Sequence, residues 1–172
     1  MSGSRKSSPP AARASKGRAV APETPLRLRA EDADDLAVIS AVAQDALISV
    51  KDLIYERAER RFTLVANRFR WEGQPDGMPH EANGAAGFER TLCAVSFAGV
   101  EGVSYRGFRR RDEARILSLL AIRIGDKPGT IDLEFSGGAT LRLGVSAIRV
   151  YATDVGEAWP TAWRPDHADD TP

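Results

Sequence analysis

Two stretches of this chain alternate polar and apolar residues and then change phase. In 61–72 (RFTLVANRFRWE) the apolar positions are Phe62, Leu64 and Ala66, then Phe69 and Trp71, so parity flips between Asn67 and Arg68. In 139–152 (ATLRLGVSAIRVYA) they are Leu141, Leu143 and Val145, then Ile148, Val150 and Ala152, with the flip between Ser146 and Ala147. Strand side chains alternate faces with period two, so one face stays buried across such a flip only if an extra residue is inserted. That insertion is a β-bulge, which bends the strand and curls the sheet. The pattern predicts a curled antiparallel sheet with irregular pairing near positions 67 and 147.

The rest of the chain supplies partners for these strands. Residues 26–29 read as a short opening strand. Glu31, Asp32, Asp34 and Asp35 then precede Leu36, Ile39, Val42 or Ala43, and Ala46, which is helical spacing with acids at the positive end of the helix dipole. Residues 48–56 lead through 57–60 into 61–72 as a hairpin. Four glycines and two prolines mark 73–88 as an excursion. Residues 91–100 and 102–105 are extended, and the charged stretch 106–115 separates them from 116–124 (ILSLLAIRI). That run is apolar on both parities and reads as a central strand covered on both faces. A turn at 126–129, the alternating TIDLEF at 130–135 and the Ser136-Gly137-Gly138 turn complete a meander, with Asp132, Glu134, Arg142 and Arg149 at exposed or rim positions. The closing 154–165, with Trp159 and Trp163, is expected to plug one end of the sheet; Trp71 and Trp159 are placed in the core. The expected architecture is α+β and mainly antiparallel: one N-terminal helix on a bulged, curled six- to seven-strand sheet, barrel-like, as in a pleckstrin-homology-like or split barrel.

Composition sets the boundaries. A 172-residue chain with 42% hydrophobic and 28% charged residues fits one soluble domain with a real core, expected over 26–165. Residues 1–25 lack aromatics and cannot bury enough apolar area to order, so they read as a disordered basic tail. An acidic tail covers 166–172. The longest apolar stretch, 116–122, is interrupted by Ser118 and is too short to span a membrane. Although formal net charge is zero, residues 1–22 carry five cations and no acid in the part before Glu23, so a basic domain that coats nucleic acid is not described. Cys93 is the sole cysteine, which excludes an intrachain disulfide and points to a reducing, cytoplasmic compartment. Two distant histidines, His80 and His167, do not make a zinc site.

Several strings together carry a resemblance: NRFRWE at 67–72, ILSLLAI at 116–122, the Gly137-Gly138 turn followed by LRL, and TDVGEAWPT at 153–161. Over about 26 to 167 the chain resembles a small bacterial family known only as a domain of unknown function. The resemblance implies a compact cytoplasmic protein, and no activity, cofactor or residue role comes with it.

Candidate chemistry is sparse. Cys93 sits among apolar neighbours and reads as structural, since a reactive thiol needs a nearby cation, histidine or helix N-terminus. His80 reads as a surface histidine. The sharpest cluster is Arg106, Arg109, Arg110, Arg111 and Arg115, interleaved with Tyr105 and Phe108. Guanidinium forks suit phosphates and carboxylates, and exposed aromatics could stack bases, although Asp112 and Glu113 also fit a merely solvated connection. Arg68, Arg70 and Glu72 share one parity and read as an exposed row, either discouraging edge pairing or marking a partner-binding edge. No catalytic residue, metal ligand or cofactor is assigned. The favoured function is a non-enzymatic protein-binding or adaptor domain, its partner another protein or a second copy. The alternative is an RNA- or nucleotide-binding module, or a site for an anionic ligand, using 109–111. A hydrolase or isomerase drawing together Asp52, Asp132 and Glu134 is a third possibility.

Overall fold

The structure is a computed structural model and describes residues 24–70 and 88–161. The basic tail apart from its last two residues, the glycine-rich excursion up to residue 87, Trp71, His80, Trp163 and the acidic tail lie outside them.

The chain opens with β1 (Arg27–Ala30) and the single described helix, α1 (Ala33–Ala43). Asp32 caps α1 by accepting the Asp35 N–H at 2.8 Å, and Leu36, Ile39 and Ala43 form its buried stripe. Then come β2 (Leu47–Ser49), a single 3-10 turn (Val50–Asp52), β3 (Leu53–Glu56) and β4 (Arg61–Phe69). Next are β5 (Phe88–Ala98), β6 (Val100–Arg106), β7 (Ile116–Ile124), β8 (Thr130–Phe135), β9 (Thr140–Val145), β10 (Val150–Asp154) and β11 (Trp159–Thr161).

All pairings are antiparallel, in the order β1-β10-β5-β4-β2-β7-β8-β9-β6, with β11 beside β5 and β3 beside β4. The α+β, mainly antiparallel architecture therefore stands, but among the described residues there are eleven strands in place of six or seven, and their hydrogen-bonded path is not closed. One continuous core joins α1 to the inward residues of the sheet, including Phe62, Val95, Leu119, Leu133 and Leu143.

The phase changes resolve differently from the expectation. Along β4 the pairing with β5 runs without a break from Arg61↔Ala98 to Phe69↔Arg90, so there is no bulge at 67. Arg68 keeps the inward parity of Phe62, Leu64 and Ala66, is fully buried, and is no part of an exposed row. The second stretch is not one bulged strand. β9 ends at Val145 and β10 begins at Val150, and 146–149 form a corner opposite Gly99. There the Ser146 N–H donates to Gly99 O at 3.1 Å and the Ala98 N–H to Arg149 O at 2.9 Å. Gly99 has φ +72°, and a Cβ on it would lie 2.7 Å from Ser146 Oγ, so this corner requires glycine.

True bulges fall elsewhere. Val100 and Gly102 face consecutive residues of β9, leaving Glu101 as the extra residue, and Leu119 and Ala121 do the same against β8, leaving Leu120. Leu120 is 47% exposed, so the run 116–124 is not covered on both faces. Its double parity records the bulge: Leu117 and Leu119 face the core before it, Ile122 after it. Trp159 is only half-buried and pairs with Arg90 as a strand, where a core plug was expected.

Candidate functional site

The Arg-rich connection between β6 and β7 is built on an internal anchor. Phe108 is 7% exposed, and its ring makes edge-on contacts with Tyr105 (5.4 Å, 87°) and Phe135 (6.0 Å, 85°). Gly107, at φ +78°, takes the chain past the next hairpin: a Cβ there would sit 3.0 Å from the Ala139 backbone. Arg115 folds back, donating from Nη1 to Gly107 O at 2.7 Å with its guanidinium 6.0 Å above the Phe108 ring. The Asp112 N–H bonds Arg109 O, and the Arg115 N–H bonds Asp112 O. On this pinned turn Arg109, Arg110 and Arg111 are exposed, and none has an ion pair with a described residue.

Phe108 therefore does not offer a face to a base: it is core, because a phenyl ring between two aromatics is better buried than wet. Tyr105 is half-buried; burial raises its hydroxyl pKa, and the charge of Arg110 opposes that shift. The structure thus brings Tyr105, Arg106 and the 109–111 turn together. It does not bring Arg68 or Arg70 to them. β4 lies between β5 and β2, so neither is on a partner-ready edge. Arg70 is mostly covered and donates from Nη1 to Glu89 at 2.8 Å.

Beside the turn, a cleft of about 290 Å³ opens over the outer face of β6, β9 and β8, lined by Ser104, Tyr105, Arg106, Asp126, Asp132, Glu134, Thr140 and Arg142. Register explains it. Ser104, Arg142 and Asp132 form one cross-strand row, and Arg106, Thr140 and Glu134 the next. Arg142 is gripped by both oxygens of Asp132 (2.7 and 2.6 Å) and by Asp126 (2.6 Å), which raises its pKa, chiefly through the Asp132 bonds. Gly125 permits the turn that carries Asp126 over, since a Cβ there would meet Thr130 Oγ1 at 2.1 Å. Asp132 and Glu134 do converge, as the carboxylate reading supposed, but Asp52 is on the Val50–Asp52 turn and outside the cleft. Asp132 is committed to Arg142, and Glu134 lies 3.6 Å from Arg123. Arg106 is the cleft cation without an ion pair among the described residues.

Sequence reasoning missed the second polar centre. Arg68 donates from Nε and Nη2 to the two oxygens of Asp154 at 2.9 and 2.8 Å, with both side chains almost fully buried. Asp154 also accepts the Leu26 N–H at 3.1 Å, tying the start of the described chain to β10. Burial pushes the Asp154 carboxyl up, but the Arg68 bonds, the Leu26 N–H and the charges of Arg68 and Arg70 outweigh it, leaving the group below its ordinary 3.8. The only hint was the broken alternation at Arg68.

Cys93 borders this pair. Burial above all, then the charge of Asp154, pushes its thiol up to about 11, against the opposing pull of Arg68. It is a neutral, buried thiol at neutral pH. Ellman's reagent at pH 8 is expected to leave Cys93 unmodified in the folded protein and to titrate it fully in guanidinium; rapid labelling of the native state would contradict the placement.

Among the described residues no group of three or more His, Cys, Asp or Glu is arranged to hold a metal ion, and no helix is long and apolar enough to cross a membrane. No curated protein and no solved structure matches the chain. The family model described as Protein of unknown function (DUF2948) matches residues 26–167, and the chain belongs to that family.

Proposed function

We propose that this domain is a non-enzymatic protein-binding or adaptor module of the bacterial cytoplasm, docking its partner on the side where the sheet curls toward β6 and the Arg109, Arg110 and Arg111 turn. The observation that carries the reading is the pinned turn: three exposed arginines held on a loop fixed by Phe108 and Arg115. A preorganised cationic loop loses less conformational entropy on binding than a free one, so its charges convert more fully into affinity and orientation. Arginine forks recognise carboxylates in pairs of bonds. The RNA reading is weaker, because of its two stacking aromatics Phe108 is buried in the core and only Tyr105, half-buried, is left to offer a face.

Co-purification from bacterial cytoplasm tests this, using the full chain, the triple variant Arg109→Ala/Arg110→Ala/Arg111→Ala, and Arg57→Ala as an exposed-arginine control. At least one protein should be retained by the full chain and by the control, survive nuclease treatment, and drop at least about tenfold with the triple variant. Capture that the triple variant leaves unchanged, or that nuclease abolishes, refutes the adaptor reading.

A further inference from the structure

β6 ends the hydrogen-bonded path of the sheet, and among the described residues it pairs with β9 alone. Its first residue is occupied: the Val100 N–H donates to Arg60 O at 2.7 Å, and Val100 O accepts the Tyr55 hydroxyl at 3.4 Å. After the Glu101 bulge, 102–106 pair with β9 in unbroken register. An edge strand of this kind presents a row of main-chain donors and acceptors that another strand can complete.

The two faces of that edge differ. Val103 and Tyr105 point inward, packed against the core yet only half covered, whereas Ser104 and Arg106 are exposed. A strand added here would present alternate residues to the same two faces. Its inward positions would meet Val103 and Tyr105 and should be apolar. Its outward positions would lie beside Ser104 and Arg106 and, past the end of β6, reach Arg109, Arg110 and Arg111. Across 106–115 there are five arginines against Asp112 and Glu113, so the formal balance is +5 − 2 = +3. All five are exposed, and Arg115 is turned back onto the loop while the other four have no such bond to it.

We propose that the free edge of β6 over 102–106 takes an extended segment of a partner protein that alternates apolar and acidic residues, adding it as a strand and gripping its acids with Arg106 and the 109–111 turn. This rests on the adaptor reading and names the class of partner. The acids opposite Arg106 would lie about 5 Å away, Cβ to Cβ, within reach of a fork. A second copy of this chain fits less well, since each copy would bring its own arginine turn to the shared edge.

The probe is a fluorescein-labelled peptide, Glu-Val-Glu-Val-Glu-Val-Asp-Asp, titrated by anisotropy against the full chain. Controls are its Lys-for-acid counterpart, two forms N-methylated at alternate residues in either phase, and a single-stranded oligouridylate. The acidic peptide should bind, one N-methylated form should weaken at least tenfold and the other little, and Arg109→Glu/Arg110→Glu/Arg111→Glu should weaken it at least tenfold. Amide exchange over 102–106 should slow on binding. Binding that tolerates both methylated forms, or protection that appears elsewhere, overturns strand addition. So does absence of binding by the peptide. In each of these cases arginine-dependent capture of a protein, tested separately, would leave the adaptor reading standing. Tighter binding of the oligouridylate than of the acidic peptide overturns both.

Discussion

Arg68→Ala is expected to destabilise the fold by about 3–5 kcal/mol, because it leaves the Asp154 carboxylate buried without its counter-ion. For a chain of this size that corresponds to a fall in Tm on the order of 10 °C. The loss belongs to the broken pair and is not a measure of what the pair contributes. Exchanging both residues for apolar ones, as in Arg68→Met with Asp154→Leu, should recover more than half of it, although the Leu26 N–H then loses its acceptor. The pH dependence has a definite sign. Asp154 titrates below its ordinary 3.8, so its stabilising contribution is complete above that value and is lost as pH falls through the lower folded-state value. In Arg68→Ala the unpaired carboxyl gains by taking up a proton. The stability gap between the two proteins should therefore narrow as the pH falls, starting above 3.8, where the buried carboxyl of the variant takes up its proton, and continuing below 3.8 as the parent loses its paired carboxylate. Thermal melts from pH 7 to pH 3 check this, and a gap that stays constant would show that the ion pair is not the source of the effect.

The same arginine shows where sequence reasoning succeeds and fails in this chain. Elements set by local alternation and turn chemistry were legible: β7 and β8 have the expected bounds, α1 buries the expected Leu36 and Ile39, and the Ser136–Gly138 turn lies where the glycines put it. The bulges were not. A shift of parity has several physical causes, and spacing alone does not separate them. At Arg68 the cause is a charge turned inward, made tolerable by Asp154, 86 residues away. At 146–149 it is a corner, made possible by Gly99 on the facing strand. In 116–124 a real bulge looked like two-sided burial, because Leu120 is apolar although exposed. Each case depends on a partner distant in sequence. The candidate site divides in the same way: the arginine cluster is visible as composition, whereas the inward turn of Phe108 and the Asp132–Arg142 fork depend on strand register.

Phe108→Ala is the variant on which stability and binding should both fail. Removing a nearly fully buried phenyl ring typically costs about 3–5 kcal/mol, from lost transfer energy and the cavity left behind. Two edge-on aromatic contacts, to Tyr105 and Phe135, are lost with it. The consequence for the turn is separate from the thermodynamic one. Without the ring Arg115 no longer has a face to cover, and the loop is held by its bond to Gly107 O, the bonds within the turn, and the bonds that Glu113 O and Arg115 O accept from Ser49 Oγ and the Val50 N–H. The three exposed arginines would keep their charge and lose their fixed placement. Limited trypsin digestion at a temperature where the variant is still folded should then cut within 109–111 at least about tenfold faster than in the parent, because the loop reaches the extended conformation a protease needs at lower cost. Phe108→Leu, which refills much of the space, should restore most of the stability and of the protection. If Phe108→Ala melts at the parent temperature and the loop is cut no faster, the ring is not the anchor. The placement of the three arginines would then rest on the hydrogen bonds at Gly107, Glu113 and Arg115 and not on the aromatic anchor.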